Sequence, residues 1–346
     1  MARANPIRLG IVGLGRAGVA MHLPELKGRE DKFQVVAVCD LAPERREAVA
    51  REYGCKAYAR IEDLLADPNV EMADIATRSC DHFDHAMMAL KSGKHVNHEK
   101  PITVTYAQAK KLQAQAKRSK GTLYIRHNAR FEPAFMHVRE LVASGLLGDV
   151  YQVRLCRPQF MRRNDWQTLK KFGGGLVLNW GPHLMDHALE FLESPVESLW
   201  SDVRRVAAVG DAEDHFKIIL RGRNDRLVDI EVSGGAATRS PEYTIWGTRG
   251  GLTCQDTTIT LRYLDPKAKL GPRKPDPGNP AQNWAATETL PWIEETVPVK
   301  YEQKFIIWDK LYDAVRKGKP YPIALERAVD VMKYLELAKK GTPFAQ

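Results

Sequence analysis

The chain has 346 residues, 44% of them hydrophobic and 27% charged, which is enough for about two domains with cores of their own. The formal net charge is +9, but Lys and Arg are spread along the whole length and no block interleaves them with aromatics, which argues for a solvated basic face and against nucleic-acid binding. No apolar run reaches the length of a membrane span, and the five scattered cysteines lack C-x-x-C spacing, so they fit reduced thiols and no metal is expected.

The opening residues, Met1-Ala2-Arg3-Ala4-Asn5-Pro6, hold neither an apolar signal core nor a twin-arginine pair, and a cytoplasmic protein is expected. An apolar run at 7–12 reads as a buried parallel strand. It runs into Gly13-Leu14-Gly15-Arg16-Ala17-Gly18, a G-x-G-x-x-G sequence, and then a helix over 18–27. The next strand, 34–39, ends at the acid Asp40, near the ~20-residue separation of a dinucleotide-binding unit. Gly13 permits the tight turn, Gly15 lets a pyrophosphate approach the backbone, and Gly18 lets the helix sit close on the strand. The helix N-terminus, reached through Arg16 and Ala17, offers free N–H groups to phosphates. Asp40 suits ribose hydroxyls and favours NAD, while Arg45 and Arg46 leave NADP open.

Helical spacing at 44–53 and 61–65, a strand at 72–76, a helix at 83–92, a strand at 95–97, a helix at 106–119 and a short strand at 123–125 complete a doubly wound α/β pattern. Residues 1–125 are assigned to this dinucleotide-binding domain. After it the pattern changes. A helix at 132–144 and a strand at 150–156 precede a Gly-rich helix start at Gly173-Gly174-Gly175. Strands at 198–207, 215–220, 228–233, 243–246 and 258–263 follow with no helices between them, which predicts an open, mostly antiparallel sheet with helices on one face. A Pro/Gly-rich stretch at 265–297 reads as a long loop or arm, and helices at 304–317 and 325–339 close the chain. Residues 126–346 are therefore expected to form an α+β domain for substrate binding and oligomerisation.

Chemistry concentrates at two places. Glu99-Lys100-Pro101 follows the strand at 95–97, at the C-terminal sheet edge where a nicotinamide would react, and a lysine there can stabilise negative charge on an oxygen. In the Gly-rich segment, Asn179, His183 and Asp186 fall at i, i+4 and i+7 on one helical face. Pro182 fits a first turn, so Asn179 can precede the regular helix. His183 is the general-base candidate, because histidine titrates near neutral pH. Arg157, Arg162 and Arg163, with Asp165 and Trp166, precede this segment, and Arg154, Arg157, Arg162, Arg163, Lys170 and Lys171 form the one local basic excess, which an anionic substrate could also explain.

These segments together resemble the glucose–fructose oxidoreductase, inositol dehydrogenase and rhizopine-catabolism (Gfo/Idh/MocA) family over almost the full length. Met72 to Ser79 with His82 resembles its third-strand segment, with Arg78-Ser79 in place of Pro-Asn, and Gly93-Lys94-His95-Val96-Asn97-His98-Glu99-Lys100-Pro101 is similar to its Glu-Lys-Pro signature. Asn128-Ala129-Arg130-Phe131-Glu132-Pro133, Trp246-Gly247-Thr248-Arg249-Gly250-Gly251 and Gly173 to His183 match further segments. The resemblance implies an NAD(P)-dependent oxidoreductase acting on a sugar, glycoside or polyol hydroxyl, with Lys100 holding the reacting oxygen, His183 as acid/base and a cis peptide before Pro101. It implies a cofactor site of Gly13, Gly15, Arg16, Ala17, Gly18, Asp40, Thr77, His82, Glu99 and Lys100. Lys100, Arg163, Trp166, Asn179, Trp180 and His183 would meet the substrate, and the assembly would be a homodimer or homotetramer with no membrane or nucleic-acid partner.

Asn179 departs from the aspartate usual in the family. An amide orients an imidazole but does not stabilise its charge. His183 could then act with Lys100 alone, Asp186 could supply the charge, or the chemistry could differ from plain alcohol oxidation. A redox-neutral enzyme that retains its NAD, and a dinucleotide-sensing regulator, are the competing readings.

Overall fold

Six strands make the first sheet: β1 (Ile7–Val12), β2 (Phe33–Cys39), β3 (Lys56–Tyr58), β4 (Met72–Ile75), β5 (His95–Glu99) and β6 (Leu123–Arg126). All pair in parallel, in the order β3-β2-β1-β4-β5-β6. The computed structural model describes residues 5–275, 277–278, 288–302 and 304–345. Met1 to Ala4, and part of the stretch expected as an arm, lie outside the described residues. Helices α1 (Leu23–Leu26), α2 (Pro43–Tyr53), α3 (Ile61–Ala66), α4 (His82–Lys91) and α5 (Tyr106–Ala116) connect the strands. Strands β1, β4 and β6 are buried on both faces, as a parallel sheet between helices requires.

Two features of this sheet differ from the sequence reading. Strand β3 is additional: three residues, none of them fully buried, carry no periodicity to read. The helix expected at 18–27 is a π-helical turn, Gly18–His22, followed by α1. The break comes at Pro24, which has no N–H to donate and sits in the first turn of α1.

The chain then crosses through α6 (Pro133–Ala143) into an eight-stranded sheet. Its strands are β7 (Val150–Pro158), β8 (Val196–Arg204), β9 (His215–Gly222), β10 (Leu227–Ser233), β11 (Tyr243–Gly247), β12 (Gly250–Gln255), β13 (Thr258–Leu264) and β14 (Trp292–Pro298). The order is β14-β13-β12-β11-β7-β10-β9-β8, antiparallel except for β7 beside β10. This is the open, mostly antiparallel sheet expected. β12 and β14 are additional. Gly250 and Gly251 dilute the pattern of β12, and β14 is an exposed edge rich in Glu and Thr, so the stretch read as a loop to 297 ends as an edge strand on β13.

Two short helices separated at Trp180, α7 (Leu176–Asn179) and α8 (Gly181–Leu192), and a terminal helix, α10 (Leu325–Lys339), cover one face of this sheet. Val153, Leu155, Val228 and Ile230 point into that core, all 0% exposed. The other face carries the exposed Trp200 and Trp246 and the ion pairs Arg154–Glu231 and Lys217–Asp229. Helix α9 (Ile306–Lys317) returns to the first sheet, where Trp308 packs with Ile7, Phe33 and Met72.

Candidate active site

The glycine turn has the shape a dinucleotide requires. Gly13 sits at φ +95°, and a Cβ there would lie 2.7 Å from the Ala76 carbonyl oxygen. A Cβ on Gly18 would collide with the Gly13 carbonyl oxygen, so helix and turn approach as only glycine permits. Beside Gly15 no heavy atom lies within 4 Å of the Cβ position, which leaves room for a phosphate against the backbone. Asp40 Oδ2 accepts the Leu14 N–H at 2.7 Å and Oδ1 accepts the Ala42 N–H at 2.9 Å, so the carboxylate is fixed at the rim of the turn. Arg46 donates to the Asp40 and Leu41 carbonyls, both at 3.2 Å, whereas Arg45 is exposed. Arg16 is exposed on the turn and adds positive charge near Lys100.

Two of the expected cofactor residues shape the site from behind. His82 is 2% exposed, with Nδ1 2.6 Å from the Pro101 carbonyl and Nε2 3.1 Å from that of Thr77. Burial lowers its pKa from the usual value, the two carbonyls oppose this, and the ring links the β4 and β5 loops. Thr77 Oγ1 pairs with His85 at 3.1 Å. Glu99 is 6% exposed, and its carboxylate meets His22, Arg126 and the Lys100 N–H. Burial alone would raise its pKa; the bond to His22, the His22 charge and Arg126 overcome it and hold the carboxyl well below its ordinary range.

The Lys100–Pro101 peptide is cis, as the resemblance implied. Lys100 Nζ donates to the Asn179 backbone carbonyl at 3.0 Å and lies 3.3 Å from Asn179 Oδ1. Burial lowers its pKa, Glu99 opposes this, and Arg16 and Arg163 lower it further. The Asn179 amide donates through Nδ2 to Gln167 Oε1 at 3.2 Å, and the same oxygen accepts from Arg163. Lysine has only donors and Gln167 Oε1 only accepts, so the orientation of Asn179 follows from its neighbours. Arg163 also pairs with Asp165, which caps the turn carrying the half-buried Trp166.

His183 is 9% exposed, and its Nδ1 is buried without a hydrogen-bond partner among the described residues. Burial, reinforced by Lys100 and His127, pushes its pKa well below the ordinary value, so the ring is neutral. Trp180, between the two short helices, meets His183 edge-on at 5.9 Å and carries the Arg157 guanidinium 5.4 Å from its ring centre. One alternative from the helical face is overturned. Asp186 does not serve His183; it forms a two-pronged pair with Arg130 at 2.6 and 2.7 Å. The break at Trp180 places Asn179 on α7, with Pro182 in the first turn of α8, and Asp186 is turned toward the segment Asn128–Phe131. The basic excess is also dispersed: Arg154, Arg157 and Arg163 each pair with a carboxylate.

Several residues went unread in the sequence. His22, Glu25, Asp74, Arg126 and Trp308 join Glu99 in one buried polar network beneath the glycine turn. Gln167 and Arg130 hold Asn179 and Asp186. A polar residue in each of three neighbouring apolar strands, Asp74, Glu99 and Arg126, was the available signal.

The sequence matches the GFO_IDH_MocA model, an oxidoreductase family with an NAD-binding Rossmann fold, over residues 7–127, and the GFO/IDH/MocA C-terminal domain over residues 135–253. It is 35% identical over 369 residues to the D-xylose 1-dehydrogenase (NADP(+)) of Hypocrea jecorina, covering 92% of this chain and 94% of that protein. It is 24% identical over 366 residues to the scyllo-inositol 2-dehydrogenase (NADP(+)) IolW of Bacillus subtilis, covering 98% and 95%. An NAD-binding protein from Listeria innocua superposes with a TM-score of 0.83 at 26% identity, covering 97% of each chain. With the glycine turn, the two sheets and these matches in agreement, the chain belongs to the GFO/IDH/MocA family and is an NAD(P)-binding oxidoreductase.

Proposed function

We propose that this protein is an NAD-dependent dehydrogenase acting on a secondary hydroxyl of a sugar, glycoside or polyol. The observation that carries the reading is the meeting of Lys100 and Asn179 at the C-terminal edge of the nucleotide sheet, near a His183 whose Nδ1 lacks a partner among the described residues. An ammonium has three N–H donors. Asn179 takes two, and the third is left for the substrate oxygen. His183, held neutral, takes the hydroxyl proton as that oxygen becomes a carbonyl. A dinucleotide held by its phosphates at the glycine turn would supply the hydride acceptor. Arg163, Trp166 and Trp180 line the substrate side, where an indole face suits the apolar side of a pyranose.

Substrate class is supported by the relatives named for D-xylose and scyllo-inositol. NAD is proposed over NADP because the fixed Asp40 carboxylate disfavours a 2′-phosphate. The division at 125/126, a cytoplasmic location and a homodimer or homotetramer belong to the same proposal. For the assembly, the open sheet face with Trp200 and Trp246, 55% and 50% exposed, is the supporting feature.

The test is mass analysis of any dinucleotide released from the purified protein, followed by a sugar, glycoside and polyol panel read at the NADH absorbance. NADH formation with a subset of the panel is expected. Product formation without net NADH would replace this reading with a redox-neutral one that retains its cofactor.

A further inference from the structure

Beneath the glycine turn lies a set of charges that the proposed reaction does not use. Glu99 Oε1 receives His22 Nε2 at 2.9 Å and lies 2.9 Å from Arg126 Nε. Its other oxygen accepts the Lys100 backbone N–H at 3.2 Å. His22 Nδ1 is 2.7 Å from Asp74 Oδ2, whose partner oxygen accepts Asn97 Nδ2 at 2.7 Å. Arg126 reaches Glu25, which also accepts from Trp308 Nε1 at 2.8 Å, and the guanidinium lies 4.9 Å from the Trp308 ring centre. His22, Asp74 and Arg126 are at most 1% exposed.

Burying ions costs several kcal/mol each, so a charged cluster in a parallel sheet is a poor way to gain stability. The balance of charge shows what it serves. Glu25, Asp74 and Glu99 are negative, and Arg126 and a protonated His22 are positive. Lys100 supplies the cation that brings the group to neutrality. Glu99 is the link: it touches both cations with one oxygen and the Lys100 backbone with the other.

We propose that His22 and Arg126 are positioning residues for Lys100: through the Glu99 carboxylate they fix its backbone N–H and set the charge its ammonium meets. His22 sits on the π-helical turn that begins at Gly18, so the segment that presents N–H groups to a pyrophosphate and the segment that carries Lys100 share one carboxylate. Other charges face Lys100 as well. Arg16 approaches from the glycine turn and Arg163 from the segment before α7, while His127 and His183 stand on the substrate side. The inference takes Lys100 as the substrate-facing lysine. Its test needs no substrate, so its failure is separate from a failure of the dehydrogenase reading.

The experiment is reductive methylation of the whole protein with formaldehyde and cyanoborohydride across pH, with Lys100 labelling read by peptide mass spectrometry. Neutral amine reacts, so the labelling midpoint reports the Lys100 titration. His22→Gln removes a positive charge from Glu99, which favours the ammonium, and the midpoint moves to higher pH by about 1. Glu99→Gln removes the negative charge, and the midpoint moves to lower pH by a similar amount, about 1. Arg126→Gln repeats the first arm independently, and carries it should His22→Gln not fold. Opposite movement in the cation and carboxylate variants supports the proposal. Midpoints that stay at the parent value, or that move the same way in all variants, overturn it, because a merely structural role has no sign.

Discussion

Two polar clusters meet at Lys100, and they are built on opposite rules. Under the glycine turn, His22 and Arg126 meet the carboxylates of Asp74, Glu99 and Glu25, and Trp308 on the returning helix α9 donates to Glu25. On the substrate side, His183 Nδ1 and His127 Nδ1 are buried without partners among the described residues. His187 stacks on Phe135 at 3.7 Å, and burial drives its pKa down to about 3. Saturated polar groups hold a shape. Polar groups left open beside a cleft mark where water or a ligand completes the bonding.

The largest effect should come from the open cluster. His183→Ala removes the proposed proton acceptor and, among the described residues, breaks no side-chain hydrogen bond. Turnover on an accepted substrate should fall by ~10²–10⁴-fold, with dinucleotide affinity and melting temperature close to the parent. A fall of less than ~10-fold would move His183 out of the chemistry and into packing. Lys100→Met should cost ~10²–10³-fold through loss of the oxygen's donor, and steady-state kinetics on the same substrate measures it.

The matched pairs predict losses of stability. Arg130 and Asp186 form such a pair at the border of the open cluster, with Asp186 0% exposed. Arg130→Met leaves that carboxylate buried and alone, and urea unfolding should show a loss of ~3–5 kcal/mol. An unchanged unfolding midpoint would mean that Asp186 finds another partner, and would reopen its role beside His183.

The network under the glycine turn also predicts a pH dependence. Burial alone would lower the His22 pKa; the Asp74 carboxylate and the bonds to Asp74 and Glu99 overcome it and raise it to about 9. A folded pKa above the unfolded value of 6.5 means that this stabilisation is complete below pH 6.5. It is lost as pH rises through about 9. Unfolding free energy should fall by ~3 kcal/mol over that window, and His22→Gln should flatten the dependence. A parent curve already flat from pH 6.5 to 9 would show that His22 is neutral in the fold.

The contrast between the clusters explains which of their residues were legible in the sequence. The glycine turn, Asp40, the Glu99-Lys100-Pro101 turn and the Asn179 to His183 segment stood out because function there requires a special backbone or a polar side chain in a Gly- or Pro-marked turn. His22 and Arg126 did not, because a lone polar residue at a helix or strand end reads as surface until its partners are known. Strands β3, β12 and β14 were missed for a related reason: they are held by neighbours through backbone bonds, with little burial pattern of their own. The helical face of Asn179, His183 and Asp186 was legible as spacing, but the break at Trp180 divides it, and no spacing rule showed that Asp186 belonged to Arg130.

The smallest expected effect bears on the point where the two clusters touch. Asn179 holds Lys100 with its two oxygens and Gln167 with its nitrogen. Asn179→Asp keeps the shape but has no N–H for Gln167 Oε1, which also accepts from Arg163. It gives Lys100 a carboxylate in place of a carbonyl. The lowered Lys100 pKa should therefore climb back toward its ordinary value, and the alkaline limb of the pH–rate profile should move to higher pH. Turnover at neutral pH should change by less than ~10-fold, because the substitution leaves both Lys100 and His183 in place. The two limbs separate the roles. Movement of the acid limb instead would mean that the new carboxylate answers His183, so that the imidazole is the group this position tunes; movement of the alkaline limb alone means that the amide has been tuning Lys100.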